Sequence, residues 1–180
     1  TYKEVFPYIK GNRIWLGATG FSTDMVFGVP EGAVVAESDR AKAARLGYVG
    51  NYTRLGNSCW FTNLDHNKRH EFMDLVCRYS PEEYPHYDNY DAIEVNKTAD
   101  IPCNYPGVMG VPITFLDKYN PEQFEIIWQA SGNTRASAPA EILKELKYII
   151  NREDRGGCAI VNGKRLFTRV FIRNKHPQQL

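Results

Sequence analysis

Between Pro81 and Glu94 five carboxylates, Glu82, Glu83, Asp88, Asp91 and Glu94, are interspersed with Tyr84, Tyr87 and Tyr90 and meet no Lys or Arg, so the stretch carries −5. Acids at this density suggest a metal-assisted nuclease when a lysine stands two residues after the last acid, on the same face of one strand. Lys97 follows Glu94 by three, which turns it to the opposite face and weakens a nuclease reading of Asp88, Asp91, Glu94 and Lys97. A second constellation is His66, His70 and Cys77, at i, i+4 and i+11 of an expected helix with Cys59 upstream, a donor set that zinc accepts. None of the four cysteines, Cys59, Cys77, Cys103 and Cys158, forms a C-x-x-C pair, so free thiols in ordinary structural settings are the competing reading. The chain has no G-x-S-x-G elbow, no G-x-x-x-x-G-K loop and no H-E-x-x-H helix, which removes the usual anchors of hydrolases, nucleoside triphosphatases and metalloproteases.

The third constellation lies near the end of the chain. Asn162-Gly163 between Cys158–Val161 and Lys164–Arg173 predicts a hairpin, because Asn-Gly adopts the left-handed turn that matches strand twist. Strand alternation puts Leu166, Thr168, Val170 and Ile172 on one side and Arg165, Phe167, Arg169, Phe171 and Arg173 on the other. Guanidinium groups for phosphates or guanine edges, with rings for stacking, suit a nucleic acid. The alternative is a strand whose phenylalanines are covered while the arginine stems extend outward. From Lys147 to Lys175 eight basic residues face two acidic ones, a local +6.

Elements must position these groups. Val5, Phe6 and Ile9 predict an amphipathic helix over residues 2–10, ended by Gly11 and Asn12. Short strands are expected at 13–17, 25–29 and 58–64, with 31–58 unassigned beyond a helical turn and loops. Asp65 is expected to cap a helix to about Tyr79, burying Phe72, Met73 and Val76. Residues 81–94 read as a loop too polar for the core. A strand over 107–116, a short helix opened by Asn120 and Pro121 with a capping-box Gln123, a strand over 124–128, a loop over 131–137 and a helix over 139–150 complete the pattern.

With 180 residues, 43% hydrophobic, 24% charged and a net charge of +1, the composition is that of a globular domain and excludes a uniformly basic nucleic-acid wrapper. No apolar run is long enough to span a bilayer and no signal-peptide pattern opens the chain, so a cytoplasmic location is expected, without membrane partners. Thr1 leads directly into the first amphipathic segment, from which a piece of a longer protein is expected.

Several stretches carry a resemblance: Thr1-Tyr-Lys-Glu-Val-Phe with Ile14-Trp-Leu-Gly, Trp60-Phe-Thr-Asn-Leu-Asp, Tyr84-Pro-His-Tyr-Asp-Asn-Tyr-Asp-Ala-Ile, Val95-Asn-Lys-Thr-Ala-Asp-Ile-Pro, the run from Gly107 to Glu125, and Asn162-Gly-Lys followed by Arg169-Val-Phe-Ile-Arg-Asn-Lys. In this order they resemble the EcoRI-type adenine-specific DNA methyltransferases along nearly the whole chain, less so at 18–57 and 129–157. The resemblance implies transfer of a methyl group from S-adenosylmethionine to the exocyclic amine of adenine in double-stranded DNA, in a restriction–modification pair. It also implies a cofactor-binding segment and an Asn-Pro-Pro-Phe tetrapeptide upstream. None of the ten prolines here has a proline neighbour, so this chain alone is expected to be inactive and to bind no cofactor.

The expected fold class is therefore α/β: the carboxy-terminal strands and helices of a Rossmann-like methyltransferase sheet over 1–79, plus an α+β target-recognition part over 80–180. The candidate DNA-binding residues are Tyr84, His86, Tyr87, Asn89 and Tyr90 on a loop near the DNA, Asn96 and Lys97 beside it, and Arg165, Arg169 and Arg173 on the last strand. For the tyrosine loop, self-packing through its own Asp and Asn turns is the alternative. For the chain as a whole, the alternative is a stand-alone DNA-binding module. A monomer is the expected state.

Overall fold

The computed structural model describes residues 2–21 and 23–179. Thr1, which opens the first resembling stretch, lies outside the described residues. Along the chain run α1 (Tyr2–Lys10), β1 (Trp15–Leu16), β2 (Thr23–Gly28), α2 (Glu37–Arg45), β3 (Tyr52–Ser58) and β4 (Phe61–Thr62). A 3-10 turn at Asn67–His70 precedes β5 (Ile93–Glu94), β6 (Met109–Pro112) and β7 (Phe124–Ala130), with further 3-10 turns at Thr98–Asp100 and Ile113–Asp117. The short helices α3 (Thr134–Ser137) and α4 (Ala140–Glu145) lead to β8 (Ile160–Val161), β9 (Lys164–Arg165) and β10 (Arg169–Asn174). No helix among the described residues is long and apolar enough to cross a membrane.

The chain divides into two compact units. The smaller, Leu16–Thr62, holds β2 and β3 as an antiparallel pair with Met25 opposite Leu55 and Gly28 opposite Tyr52. Between these strands in the chain, α2 packs on β3 and buries Ala43 completely. This helix and strand fill the region that the sequence leaves unassigned.

The larger unit, Thr1–Trp15 with Asn63–Leu180, is built on a mixed four-stranded sheet in the order β5-β6-β10-β7. The outer strand β5 runs parallel to β6, whereas β10 is antiparallel to both its neighbours. Val170, Phe171 and Ile172 in succession are fully buried, as expected of a strand covered on both faces. Against β7 the helix α1 places Phe6, whose ring meets Trp128 edge-on at 5.6 Å. Phe6 and Ile9 are the buried stripe that the sequence predicts, and Asn12 at φ 54 turns the chain out of the helix as expected.

Four expected elements form differently, three of them where a distant side chain or backbone captures the segment. The helix over 65–79 is replaced by the turn at Asn67–His70 and then extended chain. Asp65 accepts from His70 Nε2 at 2.8 Å instead of capping. Gln123 then grips Met73 at both backbone groups (2.7 and 2.8 Å), Asn104 takes the Tyr79 amide (2.8 Å), and Cys77 accepts from the Cys103 amide (2.9 Å). Gln123 is thereby drawn from its capping-box role, and the expected short helix at 120–123 is a turn closed by Asn120 Oδ1. The helix over 139–150 stops at Glu145 because Lys147 at φ 44 reverses the chain. Beyond it Ile149 donates its amide to Asn89, leaving Ile149 and Ile150 exposed. The strand over 107–116 likewise ends at Pro112, where a 3-10 turn begins.

Candidate nucleic-acid interface

The segment 81–94 is not an outer loop. Tyr84, Tyr87, Asn89, Tyr90 and Glu94 are all buried, which corrects the expectation that it is too polar for the core. Each polar atom finds a partner there, the condition under which burial is tolerated. The hydroxyl of Tyr84 donates to Asp100 O (2.8 Å) and that of Tyr90 to Gly157 O (2.5 Å). Asn89 donates to Cys158 O at 2.9 Å while accepting the Ile160 amide at 3.0 Å, so it joins this segment to β8 in place of a strand pair. Burial pushes the Tyr84 phenol up to about 12 and the Tyr90 phenol higher still. These tyrosines are therefore neutral donors rather than bases.

At the edge of the sheet Glu94, Gly110, Phe171 and Trp128 form one row across β5, β6, β10 and β7. Gly110 leaves the space in which the Tyr87 ring lies; a Cβ there would collide with that ring. Tyr87 meets Phe171 edge-on at 5.8 Å, and its hydroxyl donates to the Glu94 carboxylate. Arg169 completes the group with Nε and Nη2 on Glu94, the closest approach being 2.7 Å. Burial opposes the Arg169 charge, yet Glu94 more than offsets it and holds the guanidinium above its usual pKa. Burial, with the Glu94 charge, raises the Tyr87 phenol well above its ordinary value.

The expected ladder on the last strand does not form as one face. The strand breaks between β9 and β10, and β7 accommodates an extra residue against β10 where Phe171 gives way to Ile172. Phe171 is fully buried and Phe167 is 91% exposed, although alternation assigns them the same side. Arg169 is held by Glu94, and Arg173 by Glu125 (2.9 Å) and Glu145 (2.8 Å). Arg165 stays exposed on β9.

The hairpin itself is as expected: Asn162 and Gly163, both at positive φ, turn β8 into β9. Its tip is braced from outside, since Asp88 accepts the amides of Asn162 (3.2 Å) and Gly163 (2.7 Å). Lys164, Arg165 and Phe167 are exposed beside this brace. Arg155 and Arg165 lie near enough to Cys158 for both charges to oppose the burial that raises its thiol pKa. Lys164 and Phe167 lie outside the candidate residues read from the sequence, although both follow the Asn-Gly turn closely. His86, Asn96 and Lys97 are also exposed, and Asn96 lines a cleft of about 430 Å³ with Arg78, Glu83 and Tyr84.

The metal readings find no support in this arrangement. Asp88 caps the turn, Asp91 pairs with Lys147 (2.5 Å), and Glu94 is held by Arg169, so the acids of the nuclease reading serve separate partners. The helix expected to align His66, His70 and Cys77 is not formed. Among the described residues no group of three His, Cys, Asp or Glu side chains is placed to hold a metal ion.

Comparison with known proteins gives the class. The chain belongs to the family described as "Adenine-specific methyltransferase EcoRI", whose model matches residues 1–175. It is 43% identical over 182 residues to the Type II methyltransferase M.EcoRI of Escherichia coli, covering 99% of this chain and 48% of that protein. It is 34% identical to the Type II methyltransferase M.MgeORF184P of Mycoplasma genitalium, covering 97% of this chain and 54% of that protein. A third relative, Type II methyltransferase M.MpnI of Mycoplasma pneumoniae, is 33% identical with similar coverage. The chain thus spans about half the length of the curated relatives it matches. No solved structure matches it.

Proposed function

We propose that this chain is the carboxy-terminal, DNA-recognising portion of a site-specific adenine DNA methyltransferase from a restriction–modification pair. The parent would move the methyl group of S-adenosylmethionine to the exocyclic amine of adenine in double-stranded DNA. Family membership over residues 1–175 supports the class. The observation that carries the recognition role is the hairpin tip, where Lys164 and Arg165 are exposed while the arginines of β10 are held by carboxylates. Residues 1–79 would close the methyltransferase's Rossmann-like sheet and 80–180 would face DNA, in a cytoplasmic protein acting as a monomer.

Within the recognition part, the exposed His86, Asn96, Lys97, Lys164 and Arg165 are the residues that meet DNA. Tyr84, Tyr87, Asn89, Tyr90, Arg169 and Arg173 hold the surface in place. The cofactor belongs to the rest of the parent. No buried side-chain N or O atom lining the cleft beside Asn96, or the one of about 600 Å³ beside Met73 and Gln123, lacks a protein partner, and the sequence carries no Asn-Pro-Pro-Phe.

Replacing both Lys164 and Arg165 by alanine in the full-length protein should weaken DNA binding and lower its salt slope by roughly 0.9 for each phosphate that is no longer neutralised. An unchanged affinity and slope would overturn the DNA-facing assignment. The alternative is a stand-alone DNA-binding module without catalysis; a radiolabelled methyl-transfer assay on the full-length protein separates the two.

A further inference from the structure

Phe167 is a large aromatic side chain that the fold leaves uncovered. It is 91% exposed, whereas Phe171, four residues on, is wholly buried. Its segment is short and anchored on both sides. Before it, Leu166 donates its amide to Ala159 (2.9 Å), and Asp88 braces the turn. After it, Arg169 enters the sheet and is locked onto Glu94. The ring is therefore presented by a fixed support, and two exposed cations, Lys164 and Arg165, precede it by three and two residues.

An exposed aromatic preceded by cations on a braced turn matches the chemistry of a nucleic-acid base step. Cations fix the phosphates on either side, and an apolar ring enters between bases that part at modest cost. Enzymes that act on a base within a duplex must first remove it from the stack. We infer that Phe167 inserts into the stack of the bound DNA at the modified site, with Lys164 and Arg165 holding the flanking phosphates. This rests on the DNA-facing reading above.

The test uses the full-length protein and short duplexes bearing its mapped methylation site, with 2-aminopurine next to the target base. Phe167→Ala should abolish the rise in 2-aminopurine fluorescence and bind about tenfold or more weakly, while the salt slope stays as in the unaltered protein. On a duplex with an abasic position in place of the target base, where unstacking is already done, its affinity should approach that of the unaltered protein. Phe167→Trp should keep the fluorescence rise. Because the ring is exposed, the thermal midpoint should not move; Phe167→Gln replaces the alanine variant if it does.

Two results would overturn the inference by itself. One is a Phe167→Ala protein that unstacks DNA normally while the Lys164 and Arg165 double variant still lowers the salt slope. The other is an equal drop in affinity on intact and abasic duplexes, which marks an ordinary surface interaction. If the double variant leaves the slope unchanged, the DNA-facing reading falls and the inference with it.

Discussion

The acidic segment 81–94 and the basic stretch 147–175 are opposites in composition, and in space each completes the other. Asp88 braces the hairpin turn, Asp91 meets Lys147, and Glu94 holds Arg169. The net charge of +1 thus conceals pairings made at sequence separations of 56 to 75 residues. The two regions differ in what remains after pairing. The acidic segment sinks its tyrosines and Asn89 into the core, while the basic stretch keeps Lys164 and Arg165 outside. A charge count over a window therefore says little about where the charge acts; the partners across the fold decide which ions still face solvent.

Breaking the deepest pairing tests this contrast most severely. Glu94→Ala leaves Arg169 without its acceptor inside the protein and the Tyr87 hydroxyl with only the Gly110 carbonyl at 3.2 Å, and a drop of about 3–5 kcal/mol in unfolding free energy is expected from denaturant titration. A change near zero would mean that the two regions are not coupled through this pair. Asn89→Ala strands the Ile160 amide and the Cys158 carbonyl, for an expected cost of about 1–3 kcal/mol by the same measurement. Tyr90→Phe removes only the donor to Gly157, so its cost should be about 1 kcal/mol, read as a shift in the denaturation midpoint. Arg173→Ala breaks exposed ion pairs and should cost less than about 1 kcal/mol. Smallest of all, Arg165→Ala should change stability by no more than about 0.5 kcal/mol, with its effect reserved for DNA binding. A large destabilisation by Arg165→Ala would place it with the paired arginines.

Local signals in the sequence are sufficient where local physics decides. Asn162-Gly163 specifies its turn through backbone conformation alone, and the stripe of Phe6 and Ile9 specifies the buried side of α1. The sequence misleads where a remote group takes over. Phe72, Met73 and Val76 have helical spacing, yet Gln123, fifty residues away, binds Met73 in extended form. Alternation sorts Phe167 with Phe171 only if the strand is continuous, and it begins at Arg169. The tyrosine segment reads as polar because its acceptors, the carbonyls of Asp100 and Gly157 and the Glu94 carboxylate, are supplied by the fold. Of the candidate residues, Arg165, Asn96, Lys97 and His86 lie on the surface, whereas the tyrosines and Asn89 are buried.

The Asp88 brace also bears on the order of assembly. An Asn-Gly turn forms within microseconds from neighbours in sequence, but its two amides are claimed by a carboxylate 74 and 75 residues earlier. The hairpin can thus appear early as a loose local structure and become rigid only when the long-range pairings close, which slows folding in a chain dominated by them. Hydrogen exchange would show it: the Asn162 and Gly163 amides, at an exposed turn, should open together with Asn89 and β8 and not by fraying alone.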